Sequence, residues 1–121
     1  MIELRESPDS DIVEVTIDGH VTAKDYHELA ERFLAAYEKH GKIRVLKEIR
    51  SINGLDFEVV KEKLILALLK HIKDVKRAAL VTDEQWLEQL TDFLKPAYPC
   101  PVRCFKLNQI DEARQWLRLQ D

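Results

Sequence analysis

Three glycines stand in 121 residues, at positions 19, 41 and 54. So few, so far apart, they can build neither a P-loop nor a dinucleotide fingerprint. Cysteine is as scarce: Cys100 and Cys104, with three residues between them. Such a pair supplies neither a zinc ligand set nor a useful staple, and both read as structural thiols. The four histidines, His20, His27, His40 and His71, show no metal-ligand spacing. The longest uninterrupted apolar run, Leu64–Leu69, has six residues, against the roughly 20 that a helix needs to cross a bilayer. Arg5, Glu6, Asp9 and Asp11 make the first residues unlike a secretory signal, so no transmembrane segment and a cytoplasmic location are expected. There is no basic excess either: a net charge of −3 argues against nucleic acid as a partner. No nucleophile–base motif is visible, and the expectation is of no enzyme, no cofactor and no metal.

What is present is order. Apolar residues make up 45% of the chain, and a chain of this length buries enough of them for a core without metal or disulfide. A single domain over residues 1–121 is expected. Ile2–Arg5 alternates apolar and polar residues, and the Ser7–Ser10 turn leads into Ile12–Ile17, which alternates again; the two read as an antiparallel hairpin. Four strand-like runs, Ile12–Ile17, Ile43–Ile49, Arg77–Val81 and Val102–Lys106, are each followed by a helical pattern, starting near Thr22, Asp56, Thr82 and Asn108. Thr22 is a good N-cap, and Gly41 closes the first helix. Thr82 to Gln85 fits a capping box, and the helix behind it is expected to bury Trp86, Leu87, Leu90, Phe93 and Leu94. Asn108 is expected to cap the last helix, with Ile110, Ala113, Trp116 and Leu117 as its stripe. Arg44, Lys47 and Glu48 imply that the strand Ile43–Ile49 is not buried on both faces along its length.

Parallel strands joined by helices need crossovers. Alternation in several strands, where a fully covered parallel sheet would be apolar throughout, suggests helices on one face. The spacing therefore predicts an α/β fold: an N-terminal antiparallel hairpin, then four strand–helix units. They form a mixed, mainly parallel five-stranded sheet in sequence order, with helices mostly on one face.

The leading hairpin, the stretch Gly19-His20-Val21-Thr22-Ala23-Lys24-Asp25-Tyr26, the stretch Arg77 to Asp83 followed by Trp86-Leu87, and the ending Asp111 to Leu117 together resemble the SpoIIAA-like group of the STAS fold. That group is related to anti-sigma-factor antagonists and transporter-tail domains. The resemblance spans nearly the whole chain and implies a binding or regulatory module. Anti-sigma antagonists carry a phosphorylatable serine in an Asp-Ser-Ser-Gly-Leu-like stretch entering the second helix. The matching stretch here is Ser51-Ile52-Asn53-Gly54-Leu55: the last two residues agree, Ile52 and Asn53 replace the serines, and Ser51 is out of register by one. The resemblance thus implies a module without the phospho-switch. Relatives with a similar sheet bind lipids, so it also admits an apolar ligand.

The least ordinary feature is Leu64–Leu69. Six successive apolar residues face all round a helix, sweeping about 600°. Either this turn is enclosed within the monomer, or its outer face meets a partner or ligand. The basic residues Lys61, Lys63, Lys70, Lys73, Lys76 and Arg77 read as a solvated face, the alternative being a surface for an acidic partner or headgroup. The expected function is a non-catalytic STAS-like interaction module that forms a homodimer or meets a protein partner. Its candidate surface comprises Asn53, Gly54, Leu55, Leu66, Leu69 and Trp86. The alternative is a carrier of a small apolar or lipid-like ligand, seated near Leu66, Leu69 and Trp86.

Overall fold

The structure, a computed structural model, describes residues 1–6, 10–52 and 72–119. In these stretches the elements run β1 (Ile2–Glu6), β2 (Ile12–Ile17), α1 (Ala23–His40), β3 (Ile43–Ile49), β4 (Val75–Thr82), α2 (Gln85–Leu94), β5 (Val102–Phe105) and α3 (Ile110–Arg118). The five strands lie in one sheet in the order β1-β2-β3-β4-β5. The first pair is antiparallel and the other three are parallel, as alternation and the need for crossovers predict. The helix expected from Asp56 lies outside the described residues.

The α1 helix forms where the sequence indicates. Thr22 Oγ1 accepts from the Asp25 amide at 3.0 Å, and the Asp25 carboxylate accepts from the Thr22 amide at 3.1 Å. This reciprocal box satisfies amides that the first turn would otherwise leave unpaired. At the other end Gly41, with φ +77°, donates its N–H to Tyr37 O at 2.7 Å. Few residues other than glycine take that conformation.

The register divides the strand residues into two faces. Val13, Val15 and Ile17 of β2 pair with Val45, Lys47 and Ile49 of β3, and these with Ala78, Leu80 and Thr82 of β4. This face carries one core cluster, closed by Leu29 and Ala36 of α1, with Leu87 of α2 packed against it. The opposite face carries a second cluster of Leu46, Ala79, Val81 and Phe105, closed by Ala113 and Leu117 of α3. The last helix thus covers the side that α1 and α2 leave open.

That finding overturns the expectation for β3. Val45, Leu46, Glu48 and Ile49 are all buried, so both faces of the strand are covered despite its charges. Two of its three charges, Arg44 and Glu48, are tied down instead. Arg44 Nε donates to Asp11 Oδ1 and its Nη1 to Leu117 O, each at 2.7 Å, and Glu48 accepts from Thr16 Oγ1 at 3.2 Å. Arg77, which the sequence suggests as part of a solvated basic face, is buried: its guanidinium stacks 5.0 Å from the Trp116 ring and donates to Trp116 O at 2.7 Å. Lys76 is a surplus residue in the ladder, since Ile43 pairs with Val75 and Arg44 with Arg77. The bulge puts its ammonium 2.7 Å from Asp11 Oδ2.

Two helix starts also differ from expectation. The Thr82 hydroxyl donates to Ile49 O at 2.9 Å and accepts from the Glu84 amide at 3.1 Å, while Glu84, the residue before α2, makes no side-chain cap bond. The hydroxyl thus bridges the neighbouring strand and the Glu84 amide, rather than capping the Gln85 amide as a capping box would. Asn108 lies inside a 3₁₀ turn, Leu107–Gln109, and it is Gln109 Oε1 that accepts from the Lys106 amide at 2.9 Å.

A half-covered helix and a lysine on an apolar face as candidate functional site

Of the residues singled out by sequence, Asn53, Gly54, Leu55, Leu66 and Leu69 lie outside the described residues, as does the whole Leu64–Leu69 turn. Trp86 is placed, in the first turn of α2 and half-buried. None of the ten residues of α2 is buried. Trp86, Leu87, Leu90 and Leu94 are half-buried, and Phe93 is 81% exposed. Its stripe position suggests a core role for Phe93. At 3.6 residues per turn, however, it points about 120° round the helix from Leu87, the residue that faces the sheet, and so misses it. The strand positions beneath are covered unevenly. Val13, Val15 and Val45 are buried under α1, whereas Ala78 of β4 and Val102 and Cys104 of β5 are half-buried on the same face. A partly exposed apolar strip at the β4–β5 side, on the face against which Leu87 packs, is the result.

Near the middle of this face sits Lys47, between Val15 and Leu80 across the ladders. It is half-buried, and burial pushes its amine down to about 8. Among the described residues it has no hydrogen-bond or ion-pair partner. In the sequence Lys47 signals only an open strand face. A single lysine among alternating apolar positions does not reveal whether a partner stands opposite.

Ser51, the out-of-register serine, has a structural task. Its Oγ donates to Asp18 Oδ1 and accepts from the Gly19 amide, both at 2.8 Å, tying the end of β3 to the turn after β2. A phosphate there would face the Asp18 carboxylate.

Several other chemistry-bearing groups are engaged within the fold. A groove of about 590 Å³ on the α3 side is lined by Arg5, Glu14, Arg44 and Arg114, among others. Arg114 donates to Glu14 through Nε and Nη2, Arg5 is 3.7 Å from the same carboxylate, and Arg44 is held by Asp11. Burial pushes the Asp11 carboxyl up, but hydrogen bonds from Lys76 and Arg44 outweigh it and hold the group below the usual carboxylate range. Cys100 and Cys104 are free, half-buried thiols, both pushed up by burial. Thiols so displaced are mostly neutral at physiological pH and poor nucleophiles. Among the described residues no group of three or more His, Cys, Asp or Glu side chains could hold a metal, and no helix is long and apolar enough to cross a membrane.

This arrangement has relatives. A protein of the DUF3478 family from Shewanella loihica, uncharacterized and described as having a SpoIIAA-like fold, superposes with a TM-score of 0.70 at 26% identity, over 97% of this chain and 92% of that one. No curated protein matches. The SpoIIAA-like family model matches residues 12–118, from the first residue of β2 to the last of α3. With the hairpin, the parallel ladder and the closing helix all in place, the chain belongs to the SpoIIAA-like family.

Proposed function

We propose that this chain is a non-catalytic SpoIIAA-like interaction module, one domain over residues 1–121, that self-associates through the surface of α2. The observation that carries this reading is the helix itself: an apolar stripe with no buried residue and a phenylalanine 81% exposed. Water contact with so much aromatic surface is costly, and a second copy would cover it. The turn Leu64–Leu69 and the stretch Asn53–Leu55 belong to the same proposed surface by sequence. Light scattering across a concentration series tests it. The wild type is expected to reach a dimer mass and Phe93→Glu to stay monomeric; a strict monomer at high concentration would remove the proposal.

A second reading, a carrier of a small apolar ligand, is favoured by the uneven cover of the sheet face. The strip of Ala78, Val102 and Cys104, on the face against which Leu87 packs, leaves apolar surface partly exposed where a ligand could replace water. Native mass spectrometry of protein purified from cells separates the readings. An extra mass lost on activation supports the carrier, and a clean mass of defined stoichiometry supports the interaction module.

A further inference from the structure

We propose that the groove on the α3 side is a binding site for a small phosphate monoester with a polar body. It lies across the sheet from α2, so it is independent of both readings above. Its volume of about 590 Å³ falls within the range of small-ligand sites. Arg5 pairs with Glu14 across β1 and β2, Ile12 pairs with Arg44 across β2 and β3, and Arg114 and Arg118 stand one turn apart on α3. All six line the groove. Four guanidiniums thus converge there against two lining carboxylates, Glu6 and Glu14, in a chain whose net charge is −3.

The charge at the groove is unevenly answered. Glu14 is shared by Arg114 at 3.0 Å and Arg5 at 3.7 Å, and Asp11 by Arg44 and Lys76, each at 2.7 Å. These two carboxylates, 19% and 13% exposed, each serve two cations. The further partners Glu3 and Asp111 are 60% and 89% exposed, so water and salt screen their charge. Arg118 has no hydrogen-bond or ion-pair partner among the described residues. The bonds from Arg44 to Asp11 and Leu117 O, and from Arg114 to Glu14, hold those guanidiniums in place before any ligand arrives. A guanidinium carries five N–H donors, more than these bonds use, and its planar fork matches phosphate oxygens. Among the described residues Ile12 is the one apolar residue of the lining. A hydroxylated body suits such walls, and a hydrocarbon does not.

Glucose 6-phosphate is the probe, with glucose and inorganic phosphate as controls. In ¹⁵N-labelled protein at low ionic strength, glucose 6-phosphate should shift the amide resonances of Glu14, Arg44 and Arg114. Glucose should leave them in place, and inorganic phosphate should bind more weakly by about threefold or more, lacking the contacts of the body. Arg118→Gln, at an exposed position without a partner, should keep the thermal midpoint and weaken glucose 6-phosphate by about threefold to tenfold. Glu6→Gln removes an opposing charge and should tighten it by about twofold to threefold. Added salt should weaken binding in all three proteins. Shifts confined to residues away from the groove, or an affinity that neither variant changes, overturn the site. Equal affinity for inorganic phosphate overturns the ester. No shift at concentrations on the order of tens of millimolar overturns the proposal altogether. Each of these failures leaves the readings of α2 and its sheet face standing.

Discussion

Lys47 has consequences for stability. Its native amine titrates near 8, against 10.5 for an unperturbed lysine. Between these values the unfolded chain binds more protons than the native one, so Lys47's contribution to stability improves as pH rises through this window. Below about pH 8 the full cost of partly desolvating the ammonium is present. Lys47→Met is therefore expected to raise stability at pH 7 by about 1–3 kcal/mol, and the gain should shrink steadily from pH 8 to 10.5. Urea unfolding of both proteins at several pH values measures it. Tyr37, whose hydroxyl is pushed up to about 12 chiefly by burial, titrates in both proteins and cancels in the difference. Asp11 gives the opposite sign. Its lowered carboxyl stabilises the native state above about pH 3.8 and loses that contribution as acid protonates it. Asp11→Asn should cost about 1–3 kcal/mol at neutral pH, because it leaves the partly buried Arg44 without its carboxylate, and the penalty should fade in acid. A penalty that stays unchanged as the pH falls well below the carboxylate range would contradict the ion-pair account.

The elements show which signals in a sequence carry structure and which do not. The Thr22–Asp25 cap and the Gly41 stop are local: every group involved lies within one turn, so both are legible in the sequence itself. Thr22→Ala should cost about 1 kcal/mol, read from the thermal midpoint by circular dichroism, and no loss would mean that α1 is held by packing alone. Thr82 has the same residue type at a similar place but bonds Ile49 across the sheet. Pairing between strands decides its role, and spacing along the chain does not reveal pairing. Phe93 departs from its stripe for a related reason: a ten-residue helix has only one contact line with the sheet, and which of its apolar residues lies on that line depends on how the helix is set down. The candidate site divides in the same way. Trp86 lies on the helix that its stripe predicts but is only half-buried there, while the setting of Lys47 emerges only when register puts it between Val15 and Leu80.

In the whole molecule, the sheet is a shared floor for two layers. Right-handed crossovers and short loops imply the strand order, and it is observed. The assignment of α3 to the far face does not follow from them, because the sequence marks a helix's apolar stripe without saying which side of the sheet receives it. Guanidiniums fasten that helix: Arg114, on α3 itself, reaches Glu14 of β2, and from the sheet Arg44 of β3 donates to Leu117 O and Arg77 of β4 to Trp116 O. The α1 and α3 layers both depend on β3 and β4, whose alternate residues feed the two clusters, so the layers should lose structure together. Leu117, on the inner side of α3, is fully buried, and Leu117→Ala is expected to cost about 2–5 kcal/mol by leaving a cavity. The two tryptophans report separately on the layers, Trp86 on the α1 side and Trp116 on the α3 side. In Trp86→Phe and Trp116→Phe backgrounds, fluorescence-detected urea unfolding should give coincident midpoints, and Leu117→Ala should shift both by the same amount, as expected of one cooperative unit. If Leu117→Ala moves the Trp116 signal and leaves Trp86 in place, the layers unfold independently and the chain is not the single domain proposed.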